Sequence, residues 1–183
     1  MIRSALLLLA LVAAPSAARA ADYVQSVGST LTFATKYQGQ VFAGRFPAFT
    51  TRLSFDPKSL GTSRLDVVIP LAGAATGDGE RDSNLRGADF FDAARFPQAR
   101  YVATKFRALG GNRYAADGQL ALRGVTRPVT LTFTWTPGAK SVLAGQATVK
   151  RLDFGVGGGD WADTGLIPNE VAVSTKVVLA TKK

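Results

Sequence analysis

Asp78, Glu80 and Asp82 alternate along the chain with the spacing of a calcium-binding loop. Such a loop also needs glycine at its sixth position and a bidentate glutamate at its twelfth, where this chain has Ser83 and Asp89, so the stretch reads as a solvated turn. A second acidic stretch, Asp160, Asp163 and Glu170 around Trp161, has no ligand pattern, and no metal site is assigned. Gly155-Val156-Gly157-Gly158-Gly159 lacks the strand–turn–helix context of a phosphate loop and reads as a flexible hairpin or mouth loop. Glycoside chemistry needs two carboxylates at a set separation, and no spacing here selects a pair. The chain has no histidine and no cysteine, which removes the commonest general base, the usual metal ligands and every Ser-His-Asp or Cys-His arrangement. A hydrolase would need a convergent Ser, Asp or Lys constellation that is not visible. The expectation is a binding protein with no catalytic residue and no cofactor. Haem ligation in the usual way is excluded too, the sole methionine being Met1.

The formal charge is +9, but the basic residues are scattered singly, with adjacent pairs only at Lys150-Arg151 and Lys182-Lys183. Nucleic-acid binding depends on clustered Lys and Arg, so no nucleic acid is expected as partner. A mildly cationic surface could instead favour anionic lipid head groups. Residues 1–20 read as a cleaved signal peptide. Arg3 supplies the positive start, Leu6 to Val12 the apolar run, and Ala18-Arg19-Ala20 the small-x-small site, with cleavage near Ala20-Ala21. The expectation is export to the periplasm of one domain, residues 21–183, carrying a net charge of +7. Without cysteine, that domain must be held by burial and strand pairing.

Hydrophobicity runs with period two. Leu31, Phe33, Thr35 and Tyr37 form one such set, Leu65, Val67, Ile69 and Leu71 another, and Val129, Leu131, Phe133 and Trp135 a third. Val171, Val173, Thr175, Val177 and Leu179 close the series. With turn signals between them, the runs predict eight strands near 23–39, 41–55, 63–71, 98–107, 113–123, 127–136, 142–153 and 170–180. The first two are long enough to bend, at Gly39, Gly44 or Pro47. Between Arg81 and Pro97 the period is lost, and a short helical insertion is expected near 82–95, with Asp82 and Asp89 as N-caps and Leu85, Phe90, Phe91 and Phe96 inward. An all-β, eight-stranded antiparallel up-and-down barrel removes the edges that an open sheet would expose. Its interior holds either side chains or one small ligand.

The motif Arg81-Asp82-x-x-Leu85-Arg86-x-x-Asp89-Phe90-Phe91-Asp92, followed by Phe96-Pro97, resembles the signature of the YceI-like family. So do Gly118-x-Leu120-x-Leu122-x-Gly124-Val125-Thr126-x-Pro128-Val129, Arg151-x-Asp153-Phe154-Gly155, Gly44-x-Phe46 and Phe55-Asp56-Pro57. The resemblance implies a lipocalin-like barrel in the bacterial periplasm, holding a polyisoprenoid, an isoprenoid quinone-like molecule or a fatty amide. It also implies a possible membrane partner of cytochrome b561 type. Two histidines usual in the family are replaced here, by Gly28 before Ser29 and by Asn84 within the RDxHLR box. Asn84 can donate and accept hydrogen bonds but cannot titrate.

Phe33, Phe42, Phe46, Phe49, Phe90, Phe91, Phe106, Phe133, Trp135 and Phe154 could line a tunnel or simply fill a core. The resemblance favours the tunnel, with Leu120 on its wall. Arg81, Asp82, Asn84 and Leu85 either close one end around a polar head group or form a capped helical turn with local Arg–Asp pairing. The leading function is a carrier of a long apolar lipid, as monomer or homodimer; the alternative is a filled-core module that docks a membrane cytochrome.

Overall fold

Period-two runs separated by tight turns give an antiparallel sheet in the computed structural model, which describes residues 20–182. Residues 1–19, most of the segment expected to be a signal peptide, lie outside the described residues. Ten strands appear in chain order: β1 (Ala21–Gln25), β2 (Thr30–Tyr37), β3 (Gln40–Arg45), β4 (Thr50–Phe55), β5 (Arg64–Pro70), β6 (Gln98–Gly110), β7 (Arg113–Leu122), β8 (Val125–Thr136), β9 (Ser141–Lys150) and β10 (Glu170–Thr181). The ladder runs β1-β4-β5-β6-β7-β8-β9-β10, and β1 pairs again with β10 to close an eight-strand ring. β2 continues β1 along β10, and β3 pairs with β2.

The two long strands expected at 23–39 and 41–55 are therefore each divided in two. The first breaks between Gln25 and Thr30, where Gly28 takes φ +89° and the Ser29 hydroxyl donates to the Ser26 carbonyl at 2.8 Å. The second breaks at Phe46–Phe49 around Pro47, which cannot donate to a ladder. Gly39 serves instead in the β2–β3 turn, where Gln38 and Gly39 take φ +51° and +79°, as a type I′ hairpin requires. Gly44 stays within β3, with the Phe33 ring lying over it so closely that a Cβ would clash with the ring. β9 also stops at Lys150, three residues early, because Arg151–Phe154 wind into a 3-10 turn.

The division opens the barrel at one end. β1 and β4 complete the ring, but β3 leaves it, and among the described residues its outer edge is tied only by the Arg45–Ala75 bridge. The insertion covers that gap. Its helix, α1, spans Gly79–Arg86, earlier than expected, and its N-cap is Asp78 rather than Asp82, the Asp78 carboxylate accepting from Arg81 N at 2.9 Å. Asp82 instead accepts from Thr76 N and Thr76 Oγ1, both at 2.7 Å. Those bonds hold its carboxyl below the usual carboxylate range. Asp89 caps no helix, since residues 87–97 form turns.

The other end is plugged by aromatic rings. Phe55 lies 5.0 Å from Trp135, 5.1 Å from Tyr114 and 5.6 Å from Phe133, and Phe106 packs 5.9 Å from Phe55. Tyr23 closes on Trp135 at 5.2 Å, edge to face.

Candidate functional site

Between the plug and the open end lies a cavity of about 430 Å³. Its middle is walled by the inward residues of the period-two sets: Leu31 and Phe33 from β2, Leu65, Val67 and Ile69 from β5, Leu131 from β8, and Val173 and Val177 from β10. Strand alternation alone decides which side chains face in, so this wall follows directly from the sequence pattern. Phe46 bridges the wall and the insertion, 5.3 Å from Phe33 and 6.0 Å from Phe91.

The mouth is more polar. Arg81, projecting from the first turn of α1, places its guanidinium 4.6 Å above the Phe42 ring and 3.8 Å from the Asp78 carboxylate. Asn84, one helical turn on, faces the same opening, and Trp161 stands across it between Phe90 at 5.5 Å and Tyr37 at 6.4 Å. α1 is thus both a capped turn with a local Arg–Asp pair and one side of the mouth. Arg123, in the left-handed turn between β7 and β8, donates to the carbonyls of Ala88 and Gly155 and joins the two mouth segments.

Of the residues expected at a ligand site, Phe33, Phe42, Phe46, Phe49, Arg81, Asn84, Leu85, Phe90, Phe91 and Leu120 line this cavity. Five do not. Phe106, Phe133 and Trp135 belong to the plug, because alternation turns them inward without fixing their height along the barrel. Asp82 is occupied by Thr76, and Phe154 is packed in the core behind the wall.

Several wall residues had not been singled out. Tyr101 crosses β7 above Gly118, where a Cβ would meet its ring at 2.6 Å, and donates to the Ala116 carbonyl at 2.7 Å. Burial pushes its phenol far above the usual tyrosine range, so it remains a donor. Arg151 is only 4% exposed and has no carboxylate partner among the described residues. Its five donors go to the carbonyls of Pro168 (3.2 Å), Val156 (3.0 Å), Gly157, Trp161 (2.8 Å) and Ile167 (2.8 Å). Burial lowers its pKa, yet a guanidinium starts so high that it stays charged. The signal for Arg151 was its place in the Arg-x-Asp-Phe-Gly motif.

Thr51, also on the wall, is 2% exposed, and its Oγ1 has no hydrogen-bond partner among the described residues. An orphaned buried hydroxyl costs about 1–3 kcal/mol. Thr51→Val keeps the shape and is expected to stabilise the empty protein by about 1 kcal/mol, a rise in Tm of about 3 °C. A thermal melt that instead falls would show that the hydroxyl is bonded.

The fold and the cavity together define a closed antiparallel barrel with an apolar interior open at one end. The chain belongs to the YceI-like domain family, whose profile matches residues 23–179. A UPF0312 protein of Vibrio parahaemolyticus is 34% identical over 155 residues, 79% of this chain and 82% of that protein. One from Shewanella denitrificans is 35% identical over 154 residues, 78% and 80% respectively. Among solved structures, Burkholderia cenocepacia BcnA superposes with a TM-score of 0.79 at 30% identity, covering 82% of this chain and 95% of that one. A polyisoprenoid binding domain from Saccharophagus degradans, implicated in plant cell wall breakdown, superposes with a TM-score of 0.66 at 18% identity. It covers 89% of this chain and 99% of its own, and at that identity it speaks to fold alone.

Proposed function

We propose that this protein is an exported binding protein, not an enzyme, that carries one long apolar lipid of the isoprenoid or fatty-acyl class in its barrel. The observation that carries this reading is the cavity of about 430 Å³, walled mainly by aliphatic and aromatic side chains, with Asp78, Glu80, Arg81 and Asn84 at its mouth. Its volume lies within the roughly 300–1,000 Å³ of ordinary ligand sites. At about 30 Å³ for a water-sized group such as a methylene, it holds on the order of fourteen chain carbons. Burying those at about 0.8 kcal/mol each gives about 11 kcal/mol before the costs of association.

Membership of the YceI-like family is consistent with an isoprenoid, and the leader-like residues 1–20 support export to the periplasm. A filled-core docking module is disfavoured by the cavity. The mouth fits a head group that accepts from Arg81 or pairs with the Asn84 amide, such as a carbonyl, hydroxyl or amide.

Protein purified after export in a bacterial host should release an isoprenoid or acyl lipid into organic solvent at about one molecule per barrel, and native mass spectrometry should show the matching mass. A barrel that is empty as purified and takes up neither a prenyl alcohol nor a fatty amide would overturn the reading.

A further inference from the structure

Charge in this molecule is sorted by position. Two segments that form the mouth, 78–92 and 153–170, hold nine of the thirteen acidic residues but only two basic ones, Arg81 and Arg86. The outer wall of β4–β7 is the reverse. Arg52, Arg64, Arg100, Lys105, Arg107 and Arg113 are exposed there, against Asp66 and Asp117.

The strand register explains why they cluster although they are scattered in sequence. Arg52 stands directly opposite Asp66 across β4–β5. Arg64 shares the Asp66 face two residues along β5. Arg100 reaches Asp66 diagonally from β6 in a two-pronged contact, Nε to Oδ1 at 2.9 Å and Nη2 to Oδ2 at 2.6 Å. A bulge between Ala103 and Lys105 then turns both Lys105 and Arg107 outward, and Arg107 takes Asp117 at 2.8 Å. Each carboxylate is thereby spent on one arginine. Among the described residues, Arg52, Arg64, Lys105 and Arg113 have no carboxylate within ion-pair distance. With strands about 4.8 Å apart, the row extends over about 15 Å.

We propose that the outer wall of β4–β7 is a docking face for an anionic phospholipid bilayer, which the protein meets side-on with its acidic mouth held off the surface. Charge complementarity selects this occupant, since unpaired guanidinium groups suit phosphate oxygens. Among the described residues the wall carries no exposed aromatic ring for stacking bases, which disfavours nucleic acid. The choice of a bilayer over other polyanions rests on the lipid-carrier reading, because a lipid carrier must reach a membrane to load.

Vesicle co-sedimentation tests it with the full mature protein, whatever the barrel contains. The protein should bind phosphatidylcholine vesicles carrying 30% phosphatidylglycerol, ignore pure phosphatidylcholine, and be released by about 0.5 M salt. Each basic residue near an anionic surface is worth about fivefold in partitioning, so the triple variant R52Q/R64Q/K105Q should lose on the order of a hundredfold. A charge-matched control at the mouth end, K36Q/R86Q/R95Q, should lose severalfold at most. Equal losses in the two variants, no binding to anionic vesicles, or tight binding to duplex DNA in place of vesicles would each overturn the proposal. Lipid extraction from the same preparation reports the cargo separately, so docking can fail while the carrier function stands.

Discussion

Arg151→Leu is expected to cost about 3–5 kcal/mol and to lower Tm by about 10–15 °C. Leucine fills much of the volume but leaves five carbonyls, at Val156, Gly157, Trp161, Ile167 and Pro168, without their donor in a site that water hardly reaches. Those carbonyls span the segment from β9 to β10, so the loss is local before it is global. Amide exchange across residues 155–168 should accelerate more than exchange in β6–β8. Arg151→Lys should rescue little, because an ammonium has three donors and cannot fan out in a plane. A variant with Tm within about 2 °C of the parent and unchanged exchange in the loop would show that other contacts hold that segment.

The second large effect concerns the cavity. Ala147 on β9 faces inward opposite Val173, and its small side chain leaves open space that an indole can fill. Ala147→Trp should abolish lipid retention while leaving the fold intact. Displacing even four methylenes removes about 3 kcal/mol of burial, more than a hundredfold in Kd. Its neighbour Thr148 points outward and is exposed, so Thr148→Trp is the matched control and should bind as the parent does. Extraction of bound lipid from both variants, alongside thermal melts, separates blockage from unfolding. Full lipid content in Ala147→Trp would mean that the cargo lies elsewhere.

Alternation made the inward faces of β2, β5, β8 and β10 legible in advance, since a one-residue error would have turned each apolar set to solvent. Height along the barrel was not legible. Phe33 and Phe133 carry the same period-two signal, yet one lines the cavity and the other lies in the plug, because the register of eight strands fixes depth. The breaks in the first two strands were only half visible: Pro47 marks one, but nothing around Ser26 distinguishes a turn from a strand that continues. Arg151 was hidden for another reason. A buried cation is usually traced through a carboxylate partner, and this one is bonded only to backbone carbonyls, which every residue type possesses. Asp82 misled because a helix start and a tie to Thr76 call for the same residue type.

The open edge of β3 bears on how the barrel breathes. Arg45 exchanges hydrogen bonds with Ala75, so Val41 and Ala43, alternate residues on the same strand, direct their N–H and C=O groups to that unjoined side. A cylinder sealed by ladders all round can widen only by breaking several bonds together, whereas a seam fastened at one point can part there and reseal. The Arg45–Ala75 bridge therefore works as a clasp. Lateral passage of a lipid would proceed by unfastening it, at the rate of one local opening rather than of global unfolding.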